Sequence, residues 1–450
     1  MTRAKRIAGI GGLVAGLLAF GGGPASARIL GLTGTEFTLY ARHGHISTAD
    51  GGSYLMWGYT AGPEVQYPGP TLIVNEGDTV TIHLTNLLDD RAPVATFGEN
   101  VSMVFPGQGP VTAACDAGST CEQGLMTLEA PPNQTVTYTF TASKPGTYLY
   151  HSGTHPELQM EMGMVGALIV RPAGFDPAAP TAYGHPDTAY DREYLFLLTE
   201  MDPTVHQKVE AGQKDLVDNA AYWPVYWMLN GRTAPDTLLD AGVTILPNQP
   251  YNCFPRMHPG EKLLLRVVSA SRDLHPFHTH GNHVKIIARD GRLLESSPGM
   301  GPDLATKVYT IKATPGFTYD GIFEWTGKNL GWDIYGTGPG HEHNCLDADG
   351  DGYADADSDY PWEWCADHGK PFPVTLPEKQ DLTFGGFYSG SPFLGLLGDL
   401  PPGEGGLNPN AGFAYMWHSH SEKELTNFDI FPGGMMSMLV IEPPGVPINE

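Results

Sequence analysis

The chain of 450 residues sets 25 Lys and Arg against 50 Asp and Glu, a formal charge of −25, and has only five cysteines. Hydrophobic residues at 41% and aromatics at 10% exclude wholesale disorder, while Gly 57 and Pro 39 favour short strands joined by turns over long helices. The length points to two or three domains, and the negative field excludes nucleic acid and anionic membrane as partners, leaving cations as the natural ligands.

The first 27 residues read as a secretory signal. Arg3, Lys5 and Arg6 form a basic start, Ile7 to Phe20 an apolar run, and Ala25-Ser26-Ala27 a small-residue exit with cleavage expected after Ala27. The apolar run is short for a bilayer span, so the expected product is exported, periplasmic or secreted, with no membrane span left and disulfides available.

From residue 35 the pattern turns to strands. Glu36–Arg42, Thr79–Thr85, Thr135–Thr141, Gly146–His151 and Val165–Arg171 alternate or run β-branched, bounded by turn residues. No helical stripe interrupts them, so 35–173 is predicted to be a β-sandwich domain. Residues 174–224 read as a linker and connecting segment. A second domain, 225–443, repeats the first: Lys262–Val268 echoes Thr79–Thr85, Ala414–His418 echoes Thr147–His151, and Met435–Pro443 echoes Met164–Pro172. An insertion at about 327–412, dense in Gly, Asp and Pro, lengthens this second copy. The fold class is all-β.

Of 17 histidines, seven lie in three tight clusters: His151 and His155; His275, His278 and His280; His418 and His420. On a strand, residues two apart share a face, so an H-x-H pair presents two imidazoles together, and neutral imidazole suits copper, zinc, iron or nickel. Two clusters end corresponding strands of the two copies, which points to a metal site. His43-Gly-His45 is expected on an exposed edge strand, and His341-Glu-His343 lies in the insertion.

In the insertion, Asp347, Asp349, Asp351, Tyr353 and Asp355 match positions 1, 3, 5, 7 and 9 of an EF-hand-type loop, with Gly352 at 6, and so are candidate calcium ligands. Ser358 stands at position 12, so the pattern is incomplete. Cys115 with Cys121, and Cys345 with Cys365, are plausible disulfides, although sequence does not fix the connectivity; Cys253 is left as a buried thiol. Met160, Met162 and Met164 crowd one histidine cluster and Met435, Met436 and Met438 the other; strand packing explains most of them, with Cu(I) handling as the alternative.

Three segments carry a family resemblance. Tyr67-Pro-Gly-Pro-Thr-Leu-Ile-Val-Asn-Glu-Gly-Asp78, Tyr150-His-Ser-Gly-Thr-His155 with Gly163-Met-Val-Gly-Ala167, and His275-Pro-Phe-His-Thr-His-Gly281 resemble motifs of the laccase-like multicopper oxidases. The resemblance implies two cupredoxin-like Greek-key β-sandwich domains. It further implies a copper cluster between two such domains that reduces O2 to water, with His151, His155, His278, His280, His418 and His420 as the matching ligands. His275 matches a histidine of the family's type 1 copper. Two-domain relatives form trimers with copper at subunit interfaces, so a homotrimer is implied.

The departures are specific. Pro93–Ser102 holds no histidine where the family has its first H-x-H-G motif. Ser419 stands at the type 1 cysteine position and Glu424 at the type 1 histidine position, and Ser152 stands where nitrite-reductase-like relatives carry a type 1 cysteine. The expectation is an exported copper oxidoreductase without type 1 copper, passing electrons from a small reductant or metal ion to O2. The alternative is a copper-binding or copper-sequestering protein without turnover.

Overall fold

A computed structural model describes residues 29–89, 97–326, 343–361, 363–365, 374–375, 391–393, 407–408, 412–442 and 448. The proposed signal, residues 93–96, His341 and much of the insertion lie outside the described residues.

The first domain is a sandwich of two sheets. One runs Leu32–Thr33, Leu72–Asn75, Val165–Arg171, Gly146–His151; the other runs Ser53–Thr60, Glu36–Ser47, Thr79–Asn86, Thr135–Thr141, Thr112–Cys115. Alternation decides which face is buried. Phe37, Leu39 and Ala41 point into the core from one strand, Val136, Tyr138 and Phe140 from another, and Tyr148, Tyr150, Leu168 and Val170 meet them from the facing sheet. One short helix, Pro156–Gln159, interrupts this strand-only region directly after His155.

The second domain repeats the arrangement. One sheet runs Tyr226–Leu229, Arg192–Met201, Lys262–Ser269, Thr318–Glu324, Val284–Arg289, Arg292–Leu293. The other runs Arg256–Met257, Met436–Ile441, Gly412–Ser419, His275–Thr279, Thr310–Ala313. The strand ending at His151 pairs antiparallel with Val165–Arg171, and the strand carrying His418 pairs antiparallel with Met436–Ile441. The two histidine strands therefore hold equivalent places.

One strand corrects the sequence-based division. Arg192–Met201 falls inside the segment read as a connection, yet it is a central strand of the second domain, parallel to Lys262–Ser269. It is buried on both faces: Tyr194, Phe196 and Leu198 enter the second core, while Leu195, Leu197 and Met201 enter a separate apolar layer with Leu149, Val165 and Ala167 of the first domain. A strand covered on both sides has no hydrophobic alternation to reveal it. The helix Pro203–Glu210 follows, its N-terminus capped by Asp202, whose carboxylate accepts from Thr204 N at 2.9 Å.

Beside that apolar layer the domains are joined by buried charge. Arg171 of the first domain holds Glu193 of the second through two bonds of 2.5 and 2.6 Å, and Arg266 Nε donates to the same carboxylate at 2.6 Å. Arg266 also donates to Thr147 Oγ1 at 2.8 Å, and Thr147 in turn donates to Asp320 at 2.6 Å. Burial alone raises the Glu193 pKa, but the two guanidinium groups outweigh it and hold it down to about 2.

The disulfides Cys115–Cys121 and Cys345–Cys365 are formed, and Cys253 is a buried free thiol pushed up to about 12 by burial. His43 does not lie on an edge. Its strand sits between two others, and its Nδ1 bonds the Leu88 carbonyl at 2.6 Å inside the first domain, while His45 faces solvent and pairs with Glu210 at 2.9 Å. Among the described residues no helix is long and apolar enough to cross a membrane.

Candidate metal centre

The centre is built by strand pairing. His278 lies directly opposite His418 in the antiparallel pair of His275–Thr279 and Gly412–Ser419. His280 and His420 follow each at the two-residue step. As a result His278, His280 and His418 bring one ring nitrogen each within 4.8 Å of one another. The His280 and His418 Nε2 atoms stand 3.3 Å apart. That lies inside the reach of two nitrogens sharing one ion at about 2.0–2.1 Å each. His420 closes the set, its ring centroid 4.7 Å from that of His278.

Neighbours orient two of these rings. His418 Nδ1 donates to the Ser419 carbonyl at 2.7 Å, which leaves its Nε2 with a lone pair facing the cluster. His278 Nδ1 bonds Thr310 Oγ1 at 2.8 Å. Burial first, then the adjacent imidazoles, pushes His278 down to about 3, and burial pushes His418 down to about 4. Both rings are neutral at physiological pH, the form that ligates a metal. The donor set therefore fits a copper or comparable ion.

The first-domain histidines repeat part of this logic. His151 Nδ1 donates to the Ser152 carbonyl at 2.8 Å, the same bond to the following residue that His418 makes, and burial lowers its pKa. His155 caps the Pro156–Gln159 helix with φ 37°, and its Nδ1 pairs with Glu99 at 3.0 Å. That turn is what the four-residue spacing accommodates. Among the described residues neither joins the group of three in the second domain.

His275 is not placed to ligate, contrary to its inclusion among the copper residues. Its Nε2 bonds Glu200 at 2.7 Å and its Nδ1 bonds Glu424 at 2.9 Å, so both nitrogens are committed to carboxylates inside a fully buried site. Burial opposes the imidazolium, but the two carboxylates outweigh it and hold the pKa up to about 9. Ser419 and Glu424, at the positions that departed from the family motif, are buried here as well. The folded pKa lies above the ordinary value near 6.5, so this stabilisation is complete below about pH 6.5 and lost as pH rises through about 9. The metal-free protein is expected to lose about 3 kcal/mol across that window. Denaturation midpoints measured from pH 6 to 10 check this, and His275→Leu should flatten the slope.

Glu200, which the sequence reading missed, sits in the overlooked strand; a glutamate within an apolar run was its only signal. Thr310 and Tyr309, beside His278, carry no motif at all. Met162, Met164 and Met435 are fully buried core residues, as strand packing requires. In the insertion, carboxylate oxygens of Asp347, Asp349 and Asp351 lie within 4.8 Å of one another, with Asp347 accepting from Gly352 N at 3.1 Å. Asp355 instead accepts from Ala348 N at 2.8 Å, and the Tyr353 ring packs on Trp364.

Comparison with known proteins bears on the first domain and on the fold. The sequence model described as multicopper oxidase matches residues 48–174. Over these residues the chain is similar to a multicopper oxidase domain. It is 32% identical over 133 residues to copper resistance protein A of Escherichia coli, covering 30% of this chain and 18% of that protein. It is also 32% identical over 170 residues to the L-ascorbate oxidase of Nicotiana tabacum, covering 37% of this chain and 25% of that one. The chain thus spans a quarter or less of the length of these two relatives. The blue copper oxidase of Nitrosomonas europaea shares the fold with a TM-score of 0.53 at 18% identity, covering 90% of this chain and 85% of that one. The multicopper oxidase mgLAC does so at 0.53 and 18%, over 92% and 88%. Both domains of this multicopper oxidase-like chain are therefore cupredoxin sandwiches.

Proposed function

We propose that the protein is an exported copper-dependent oxidase, coupling oxidation of a small reductant or metal ion to reduction of O2 at a histidine-held site without type 1 copper. One observation carries this reading: His278, His280 and His418 converge their ring nitrogens, with His278 and His418 neutral, His278 Nδ1 bonded to the Thr310 hydroxyl and His418 Nδ1 donating to the Ser419 carbonyl. His420 completes the set. Copper bound there supplies the electron-accepting and O2-binding chemistry. The chain's own part is to keep His278 and His418 deprotonated by burial and to hold their orientation through hydrogen bonds from the surrounding residues. The basic start and apolar run of the first 27 residues support export. The clustered Asp347, Asp349 and Asp351 support calcium in the insertion.

Metal analysis, EPR and oxygen uptake on the full chain test this. Expected are bound copper, no intense blue absorption, and O2 consumption with hydroquinone or a ferrous salt. Thr310→Val should weaken copper binding by about 10–100-fold, and His418→Ala by more. A protein that takes up no copper would refute the reading, an intense blue band would refute the absence of type 1 copper, and absence of calcium would refute the second site. The buried Glu200–His275–Glu424 triad favours one alternative, copper binding without turnover, since it stands where the family's type 1 ligands would pass electrons. Copper with no O2 uptake across several reductants would decide for it.

A further inference from the structure

The oxidase reading leaves open where electrons enter. The place matching the family's type 1 copper is closed: His275 is 0% exposed and locked between two carboxylates. An exposed ring does touch a cluster histidine. Tyr309 is 53% exposed, and its ring meets the His278 ring edge-on, with centroids 5.6 Å apart and planes at 85°. On another side it meets His283 at 5.6 Å and 75°.

The backbone fixes this ring in place. Tyr309 lies between Thr306–Val308, which pairs in one sheet, and Thr310–Ala313, which pairs with the His275–Thr279 strand of the other. Its carbonyl accepts from Thr279 N at 3.0 Å, and the next residue is the Thr310 that holds His278 Nδ1 at 2.8 Å. The residue bearing the exposed ring and the residue bonded to the ligand ring are therefore chain neighbours.

We infer that Tyr309 is the docking ring for the reductant and the point at which its electron enters. This rests on the oxidase reading above. The partner it fits is a planar phenolic or aromatic amine reductant, which stacks or packs edge-on against a phenol ring. The net charge of −25 disfavours anionic reductants and selects neutral or cationic ones. In the step itself, a docked hydroquinone loses one electron and one proton. The proton leaves to solvent, and the electron leaves by way of the Tyr309 ring toward His278, one of the residues that would hold the copper able to accept it. The resulting semiquinone gives up a second electron and proton to become quinone. Four electrons and four protons convert one O2 to two waters.

Copper-loaded wild type, Tyr309→Phe and Tyr309→Ala are reduced anaerobically with hydroquinone and, separately, with dithionite, and the loss of the cupric EPR signal is timed. Saturation-transfer NMR follows hydroquinone contact with the metal-free proteins. Tyr309→Ala should slow hydroquinone about tenfold and lose the NMR contact, with dithionite unchanged and Tyr309→Phe close to wild type. Equal hydroquinone rates in wild type and Tyr309→Ala overturn the inference while leaving the oxidase reading standing. So does a Tyr309→Ala defect shared by both reductants, which makes Tyr309 part of the metal scaffold, or a Tyr309→Phe defect as large as that of Tyr309→Ala. A wild type that holds no copper overturns both.

Discussion

Replacing His275 with leucine is expected to destabilise the metal-free protein by about 3–5 kcal/mol, the cost of leaving buried charge without its partner. The side chains of Glu200 and Glu424 are 1% and 8% exposed and close on opposite sides of one imidazole ring. Glu200 has other support, accepting from the backbone N–H groups of Arg272 and Asp273 at 2.5 and 3.2 Å, so it stays in place when the ring is lost. Leucine fills much of the volume but supplies neither proton, and two carboxylates then face one another in an apolar enclosure. Chemical denaturation of metal-free protein reads the loss directly. The combined change of His275→Leu, Glu200→Gln and Glu424→Gln should recover most of it, because replacing all the charges removes the mismatch. A His275→Leu protein as stable as wild type would mean the triad contributes no net stabilisation.

Glu193→Leu is expected to cost a similar amount, about 3–5 kcal/mol, for the opposite charge. It strips the shared anion from Arg171, on the first domain, and from Arg266, on the second, both buried. Asp320 remains 3.4 Å from Arg266, so Arg171 suffers most. The contact is also the ionic part of the domain seam, so the loss should loosen coupling as well as stability. Calorimetry is expected to show a single wild-type transition separating into two in the variant; one unsplit transition would show that the apolar layer around Leu149, Val165, Leu195 and Leu197 is enough on its own. With a folded pKa of about 2, the Glu193 contribution is complete above about pH 4.5 and lost as pH falls through about 2, so this variant should be compared at neutral pH.

Strands with a clear signal were legible. Thr135–Thr141 alternates, Gly146–His151 and Val165–Arg171 carry aromatic or branched apolar runs beside turn residues, all three fall where they were expected, and the two histidine strands prove equivalent by pairing as well as by sequence. The imidazole trio was legible too, because two-residue spacing on paired strands fixes which rings meet. Arg192–Met201 was not: burial on both faces erases period two, as in Val165–Arg171, but here Arg192, Glu193, Thr199 and Glu200 also break the apolar run. Nor was the fate of His275. Its motif resembles that of a ligand, and its actual partners lie 75 and 149 residues away, one of them in the strand that had been read as a connection. Sequence proximity reveals which groups share a face but not which distant carboxylates reach them.

The bonds that orient His151 and His418 both end on main-chain oxygens, those of Ser152 and Ser419. A main-chain acceptor persists whatever side chain its residue carries, so positions 152 and 419 can drift without disturbing the tautomer of the histidine before them. What drift does alter is the local hydroxyl network, such as the 2.6 Å bond from Ser152 to Gln159. Serine or cysteine at either place would leave the orientation of the preceding imidazole intact. The orientation of a ligand ring and the chemistry of the side chain after it are therefore independent.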